Sequence, residues 1–179
     1  MKRTGPQIIN ELRDKLQFDI GRHLYGVLGS YQQLEKFERD DLGLATDQKG
    51  SKLPEAINVN RELLARIGDD DLKQLVADEG RRPQSVQWRL NNEFDRLLHD
   101  LLQERNLIIL KQLELLFAYG LDLSVLRTRA SNTNHILLLL PGERRGEQLV
   151  IFHEADIKFN RTIPTNLVAD NHLWELSDD

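Results

Sequence analysis

Two kinds of hydrophobic pattern alternate along this chain: short unbroken apolar runs, and longer stretches in which leucines recur every three or four residues. The first stretch, "TGPQIINELRDKLQF", sets Ile8, Ile9, Leu12 and Leu16 at helical spacing behind Thr4, a capping residue, and Pro6, which suits a first helical turn. "RHLYGVLG" then reads as a buried strand, and Tyr31 to Arg39 as a helix with Leu34 and Phe37 on one face. "RDDLGLATDQKGSKLPE" is rich in Gly, Asp, Lys and Pro and reads as an irregular connection within one domain. A short strand, "AINVN", runs into a helix through "RELLARI", and "DDDLKQLVADEGRRP" gives a short helix and a break. From Ser85 to about Glu104, the positions Val86, Leu90, Phe94, Leu97, Leu98 and Leu101 predict a further helix. "NLIILK" and "HILLLLPG" are apolar throughout, as strands covered on both faces are, and "DLSVLRTRA" between them is helical. "ERRGE" reads as a hairpin tip leading into "QLVIFH". "RTIPTNLVADNHLWEL" reads as a final edge strand, because Pro164 is excluded from a sheet centre.

Strands that alternate with helices and are themselves apolar on both faces imply an α/β fold: a mostly parallel sheet flanked by helices, with a C-terminal antiparallel hairpin. At 179 residues the chain is expected to form a single domain, 1–179, without internal repeats. With 40% hydrophobic and 30% charged residues it has the composition of a globular chain. The formal charge of -5 argues against a protein whose main attachment is to nucleic acid phosphates. The absence of cysteine removes disulfides, thiolate metal sites and thiol nucleophiles. "MKRTGPQIINELRDK" lacks the apolar core of a signal peptide, and no run approaches membrane-spanning length, so a soluble, cytoplasmic protein without membrane contact is expected.

The stretch "YGVLGSYQQL" raises the sharpest chemical question. A strand, glycines and then a helix is the setting of the phosphate-binding P-loop, G-x-x-x-x-G-K-[ST], in which backbone N–H groups and the Lys hold phosphates and the hydroxyl holds magnesium. Laid on that pattern, Gly26 takes the first position and Gly29 and Ser30 fall among the variable ones. Tyr31 then replaces the second Gly, Gln32 the Lys and Gln33 the Ser/Thr. Gln32 is neutral, and charge-assisted hydrogen bonds are roughly twice as strong as neutral ones. Gln33 offers an amide where magnesium meets a small hydroxyl, and Tyr31 puts a phenol where backbone must approach closely. The window therefore reads either as a relic loop of a degenerate, P-loop-NTPase-like domain, or as glycines that serve a tight strand-to-helix turn. A second position points the same way. P-loop proteins hold magnesium with an acid at the end of a later apolar strand, but here that strand ends in Lys111, with Glu114 three residues on. No catalytic residue, cofactor or metal is expected.

In that order, "YGVLGSYQQL", "AINVNRELLARI", "LIILKQLELLF" and "HILLLLPGERRGEQLVIF" resemble a small P-loop-related component of bacterial BREX phage-defence systems, the BrxF-like proteins, across about His23 to Phe152. The BrxB-like proteins of the same systems are similar through the strand, "PG" and hairpin section. The chain departs from the first family at Tyr31, Gln32, Gln33 and Lys111, the positions that handle nucleotide. The resemblance implies a role in phage defence through contacts with larger members: an AAA+ ATPase, a methyltransferase or a PglZ-like protein.

Other chemistry has less support. Five histidines, His23, His99, His135, His153 and His172, show no metal-ligand spacing. "FHEAD" gathers His153, Glu154 and Asp156, but alternate residues of a strand face opposite ways. Arg81-Arg82, Arg127 with Arg129, and Arg144-Arg145 are the basic spots, and Arg144 and Arg145 on the hairpin tip are the best placed to reach a partner or DNA. Of the two tryptophans, Trp88 and Trp174, the second lies in a polar tail and is the favoured interface aromatic. The sequence thus favours a non-catalytic adaptor with Arg144, Arg145 and Trp174 as its interaction surface. A nucleotide-dependent switch with a non-standard site and a DNA-contacting module are the alternatives.

Overall fold

In the computed structural model, which describes residues 2–146, 148–155, 160–163 and 167–177, the expected α/β architecture is present. The elements in chain order are β1 (Lys2–Arg3), α1 (Gly5–Lys15), β2 (Leu24–Gly29), α2 (Tyr31–Lys36), β3 (Ala56–Asn58), α3 (Val59–Ile67), α4 (Asp69–Glu79) and α5 (Pro83–Glu104). They continue with β4 (Leu107–Lys111), α6 (Glu114–Ala118), α7 (Ser124–Arg129), β5 (His135–Arg145), β6 (Gln148–Ile151), β7 (Arg161–Ile163) and β8 (Leu173–Leu176). A π-helical turn at Phe37–Asp41 and a 3-10 turn at Leu42–Leu44 extend α2 towards the irregular connection.

Among the described residues the main sheet runs in the order β1-β8-β2-β5-β4-β3, every neighbouring pair parallel. β6 and β7 extend the far end of β5 as an antiparallel hairpin. Alternation along the strands divides the core into two layers. Tyr25, Val27, Ile109, Leu137, Leu139 and Trp174 face Ile8 and Leu12 of α1, Leu34 of α2 and Phe37. Leu28, Ile108, Leu110, Ile136, Leu138 and Leu140 face Leu63 of α3, Phe94 and Leu98 of α5, and Leu126 of α7. Each fully buried aliphatic side chain contributes about 1.5–3 kcal/mol, which is why strands this apolar settle only where both faces are covered.

Local signals set the helix starts. Thr4 is the N-cap of α1, its N–H held by Gln7 Oε1 at 3.0 Å, and Pro6 sits in the first turn. Asn58 caps α3 by accepting from the Arg61 N–H at 2.9 Å. Two elements had no readable signal: β1 is a charged dipeptide that pairs with β8, and α6 is a short helix after Lys111.

The expected final edge strand is corrected. The segment divides into β7, which pairs with β6, and β8, which lies inside the sheet between β1 and β2. Leu173, Trp174 and Leu176 are buried, and this four-residue strand contains no proline, so nothing bars it from an interior position. Pro164, the basis of that expectation, lies outside the described residues.

β5 is one long strand that leaves the parallel sheet at Pro141-Gly142 and enters the hairpin. A Cβ on Gly142 would lie 2.5 Å from the Val150 carbonyl oxygen, an atom of paired backbone. One on Gly26 would lie 2.8 Å from Leu173 Cδ1, the end of a side chain with some freedom to shift. Gly142→Ala is therefore expected to cost about 2–3 kcal/mol, with Gly26→Ala costing less, as read from urea unfolding midpoints. Equal effects would contradict this packing.

Candidate functional site

The chain leaves β2 for the face that carries α1 and α2, and leaves β3 and β4 for the opposite face. In open α/β sheets the crevice beyond the strands' carboxyl ends at such a reversal is where ligands bind. Here it opens beyond Gly29, Lys111 and Pro141 as a cavity of about 320 Å³ whose walls include Tyr31, Glu38, Gln112 and Glu114. A second hollow of about 660 Å³ adjoins it, between the π-helical turn, the irregular connection and the end of β3.

The window compared with the phosphate loop is not a loop. Gly26 and Gly29 belong to β2, Ser30 alone joins strand to helix, and Tyr31, Gln32 and Gln33 form the first turn of α2. This corrects the relic-loop expectation. Gly26 lies in the strand interior and leaves room for Leu173, and a Cβ on Gly29 would press on Leu176 and Gln33 at 3.1 and 3.2 Å. Both glycines serve close packing.

Three backbone donors at this corner, the N–H groups of Ser30, Tyr31 and Gln33, are bound by the protein itself. Ser30 and Gln33 form a reciprocal capping box: Gln33 N–H donates to Ser30 Oγ at 3.1 Å and Ser30 N–H donates to Gln33 Oε1 at 2.7 Å. The Tyr31 N–H donates to a Glu154 carboxylate oxygen at 3.2 Å. Gln33, read as a failed magnesium ligand, is thus a helix cap, and Glu154 places a negative charge where a phosphate would sit.

Around this corner lies a polar network. The Tyr31 hydroxyl donates to Glu114 at 3.3 Å, and the other Glu114 oxygen accepts from the Asn60 amide at 2.7 Å. Asn60 in turn accepts from the Leu115 N–H at 3.0 Å, and Asn58 bonds Gln112. Burial, with Glu114 and Glu154 alongside, pushes the Tyr31 phenol up to about 12. Lys111 pairs with Glu38 at 2.6 Å, so its charge is already matched. Gln112 and Phe152, just beyond β4 and β6, adopt positive φ of 53° and 60°, a conformation that costs a non-glycine residue about 1–3 kcal/mol. Glu35, Glu38 and Glu114 give the crevice an acidic lining with one matched lysine, Lys111, and Glu154 caps the Tyr31 N–H beside it, a setting that opposes a triphosphate electrostatically.

The remaining expected residues scatter. Trp174 is only 3% exposed, stacks on Tyr25 and donates its indole N–H to Glu11 at 2.7 Å. Its expected role as an interface aromatic is corrected: it is part of the core, and Trp88, at 69% exposed, is the tryptophan that meets solvent. The sequence does not distinguish them, because Trp174's burial depends on β8 lying inside the sheet. Glu11 also accepts from Arg3 at 2.7 Å; burial alone would raise its carboxyl, but the Trp174 and Arg3 bonds prevail and hold it below the usual range. Arg144 pairs with Asp170 at 3.0 Å and Arg145 with Glu143 at 2.6 Å, so the hairpin tip carries compensated charge. Arg129 makes a two-pronged contact with Asp95, while Arg81 and Arg82 are exposed ahead of α5.

Three histidines that are distant in sequence converge at the other end of β2. His23 and His135 stack with ring centroids 4.3 Å apart, and the Tyr25 hydroxyl lies 3.2 and 3.3 Å from their two Nδ1 atoms. His172 packs on Tyr25 at 4.8 Å. His99 lies beside Arg129, and His153 has a buried Nδ1 with no partner. Asp156 of the "FHEAD" group lies outside the described residues. Among the described residues no group of three or more His, Asp or Glu side chains is placed to hold a metal ion, and no helix is long and apolar enough to cross a membrane. Strand register, which the sequence does not display, sets His23 beside His135.

No protein-family model matches the chain, and no curated protein or solved structure matches it either.

Burial pushes the His135 imidazole down to about 4, with His23 adding to the shift and Asp19 opposing it, and burial lowers His23 as well. The unfolded chain therefore binds the extra protons, so stability is whole above about pH 6.5 and falls as pH drops towards about 4. His135 alone accounts for a loss on the order of 3 kcal/mol across that window. Urea midpoints measured against pH are expected to fall on the acid side, with His135→Leu flattening the curve; a flat wild-type profile would refute the assignment.

Proposed function

We propose that the protein is a non-catalytic adaptor of a BREX-type phage-defence system, acting through protein–protein contacts with a larger component: an AAA+ ATPase, a methyltransferase or a PglZ-like protein. The observation that carries the non-catalytic part is the corner between β2 and α2. Its Ser30, Tyr31 and Gln33 N–H groups are held by Gln33, Glu154 and Ser30 respectively, and its surroundings are acidic. A nucleotide would have to displace these bonds and bring three or more negative charges against Glu114 and Glu154. The phage-defence setting rests on the sequence resemblance from about His23 to Phe152.

Exposure suggests where a partner would bind. Trp88 is the most exposed aromatic among the described residues and the hairpin tip around Arg145 is an exposed basic feature, and tryptophan and arginine anchors often dominate binding energy once buried in an interface. DNA contact has less support, since Arg129, Arg144 and Arg145 already have carboxylate partners.

Two measurements test this reading. Magnesium with ATP should leave the melting temperature unchanged, because a ligand held only by the folded state must raise it. A rise, or ATP hydrolysis abolished by changing Ser30 or Gln33, would overturn the proposal. Tagged protein expressed with its native gene neighbours should retain one of the named components. Trp88→Ala and Arg145→Glu should weaken that retention while shifting stability by less than about 0.5 kcal/mol. Trp174→Ala, by contrast, should cost about 3–5 kcal/mol of stability, as loss of a buried large aromatic does. Recovery of none of these components would remove the adaptor role.

A further inference from the structure

Phe18 and Ile20 are 64% and 90% exposed, and both lie in the short connection between α1 and β2. They border an open hollow of about 350 Å³ whose rim also carries Lys15, Arg22 and His172. We propose that this connection is the contact of a two-fold symmetric homodimer. Ile20 of each copy enters the hollow of the other, and Asp19 of each pairs with Arg22 of the other.

Single apolar residues scattered over a surface need no explanation, but two large ones in one short connection beside a concavity form a patch. The backbone holds that patch in place. The Phe18 N–H donates to the Lys15 carbonyl at 3.3 Å, and the His23 N–H to the Ala130 carbonyl at 2.8 Å. The Gly21 carbonyl accepts from the Asn132 N–H at 3.1 Å. Gly21 itself adopts a φ of 123°, which other residues rarely take, so the chain turns immediately after Ile20. A connection fastened at both ends loses little further freedom when it is covered, and association is favoured accordingly.

The charges identify what covers it. From Asp14 to Arg22 the chain carries two acids, Asp14 and Asp19, and two bases, Lys15 and Arg22. Asp19 and Arg22 flank Ile20 and Gly21, and among the described residues neither side chain has a hydrogen bond or an ion pair. A chain of net charge -5 repels its own copies except where a contact is locally balanced, and this segment is balanced. An isologous contact uses one patch twice, so the patch must supply both the protrusion and the hollow, and both signs of charge. This one does. Asp19 against the partner's Arg22, and the reverse, would place an ion pair on each side of an apolar centre, the usual arrangement of core and rim. Such rim pairs fix register and exclude wrong partners more than they add affinity. A polyanionic partner would meet Asp14 and Asp19 as well as the two bases, so it gains less from this segment than a second copy does.

The segment is short, so the interface is at the small end of specific contacts and its dissociation constant is expected on the order of 10–100 µM. The contact uses neither Trp88 nor Arg145, so it holds whatever the adaptor's partner is.

Sedimentation equilibrium of the full chain from about 1 to 500 µM tests the proposal, a range that brackets that constant. The mass is expected to rise from that of one chain to that of two. Ile20→Asp should weaken association at least tenfold, on the order expected for a central apolar anchor. Asp19→Arg and Arg22→Asp should each weaken it severalfold by setting like charges together, and the two combined should restore it to within about twofold of wild type. All three positions are exposed, so the melting temperature of the monomer should stay unchanged in every variant. A single-chain mass throughout, a dimer indifferent to Ile20→Asp, or a double variant as weak as the single ones would each overturn the proposal. So would capture of the monomer on phosphatidylglycerol vesicles that Ile20→Asp abolishes, which would assign the patch to a membrane surface instead.

Discussion

The parallel ladder between β2 and β5 is the constraint on which the rest of this structure depends. It pairs Leu24 through Gly29 with Ile136 through Pro141 without a break. That register assigns Tyr25 and Val27 to one layer of the core and Leu28 to the other, and a slip by one residue would exchange them. It also determines both ends of the strand. At one end it stacks His23 on His135; at the other it brings the Ser30 corner beside Pro141 and opens the crevice between Tyr31 and Glu114.

The two ends resolve their polar groups differently. At the carboxyl end several of the donors near the crevice are met from within: a capping amide, a carboxylate on a helix start, an asparagine bridging Glu114 and a backbone N–H. Such a closed network holds its members in place and leaves little for a ligand to gain. At the amino end one nitrogen, His23 Nε2, is closed off from solvent and has no hydrogen-bond partner. The chemistry expected from the sequence was assigned to the first end, where the polar groups are tied to one another.

Much of the fold was legible because its signals are local. "NLIILK" and "HILLLLPG" are too apolar for a half-exposed strand, and both became interior strands. The helical spacing from Val86 to Leu98 gave the long helix under the sheet. What could not be read depends on partners distant in the chain. β1 has no hydrophobic signature and exists through β8; Trp174 is buried because β8 inserts next to β2. Gly26 looked like part of a loop because a glycine that makes room for Leu173 is written with the same letter as one that turns the chain. Ser30 and Gln33 have the Ser-x-x-Gln spacing of a capping box, a local signal that the comparison with a phosphate loop passed over, whereas Glu154, 123 positions from Tyr31, has no local sign of its contact.

The bridge from Glu11 to Trp174 joins positions 163 apart. Together with the insertion of β8 between β1 and β2, it makes the order of synthesis matter. While the chain is emerging from the ribosome, β2 can pair with β5 on one side, yet its other flank stays bare and Glu11 and Tyr25 wait for their aromatic neighbour. A nascent intermediate of this kind shows unpaired strand amides beside an apolar surface, the condition that invites chaperone capture or mispairing with another chain.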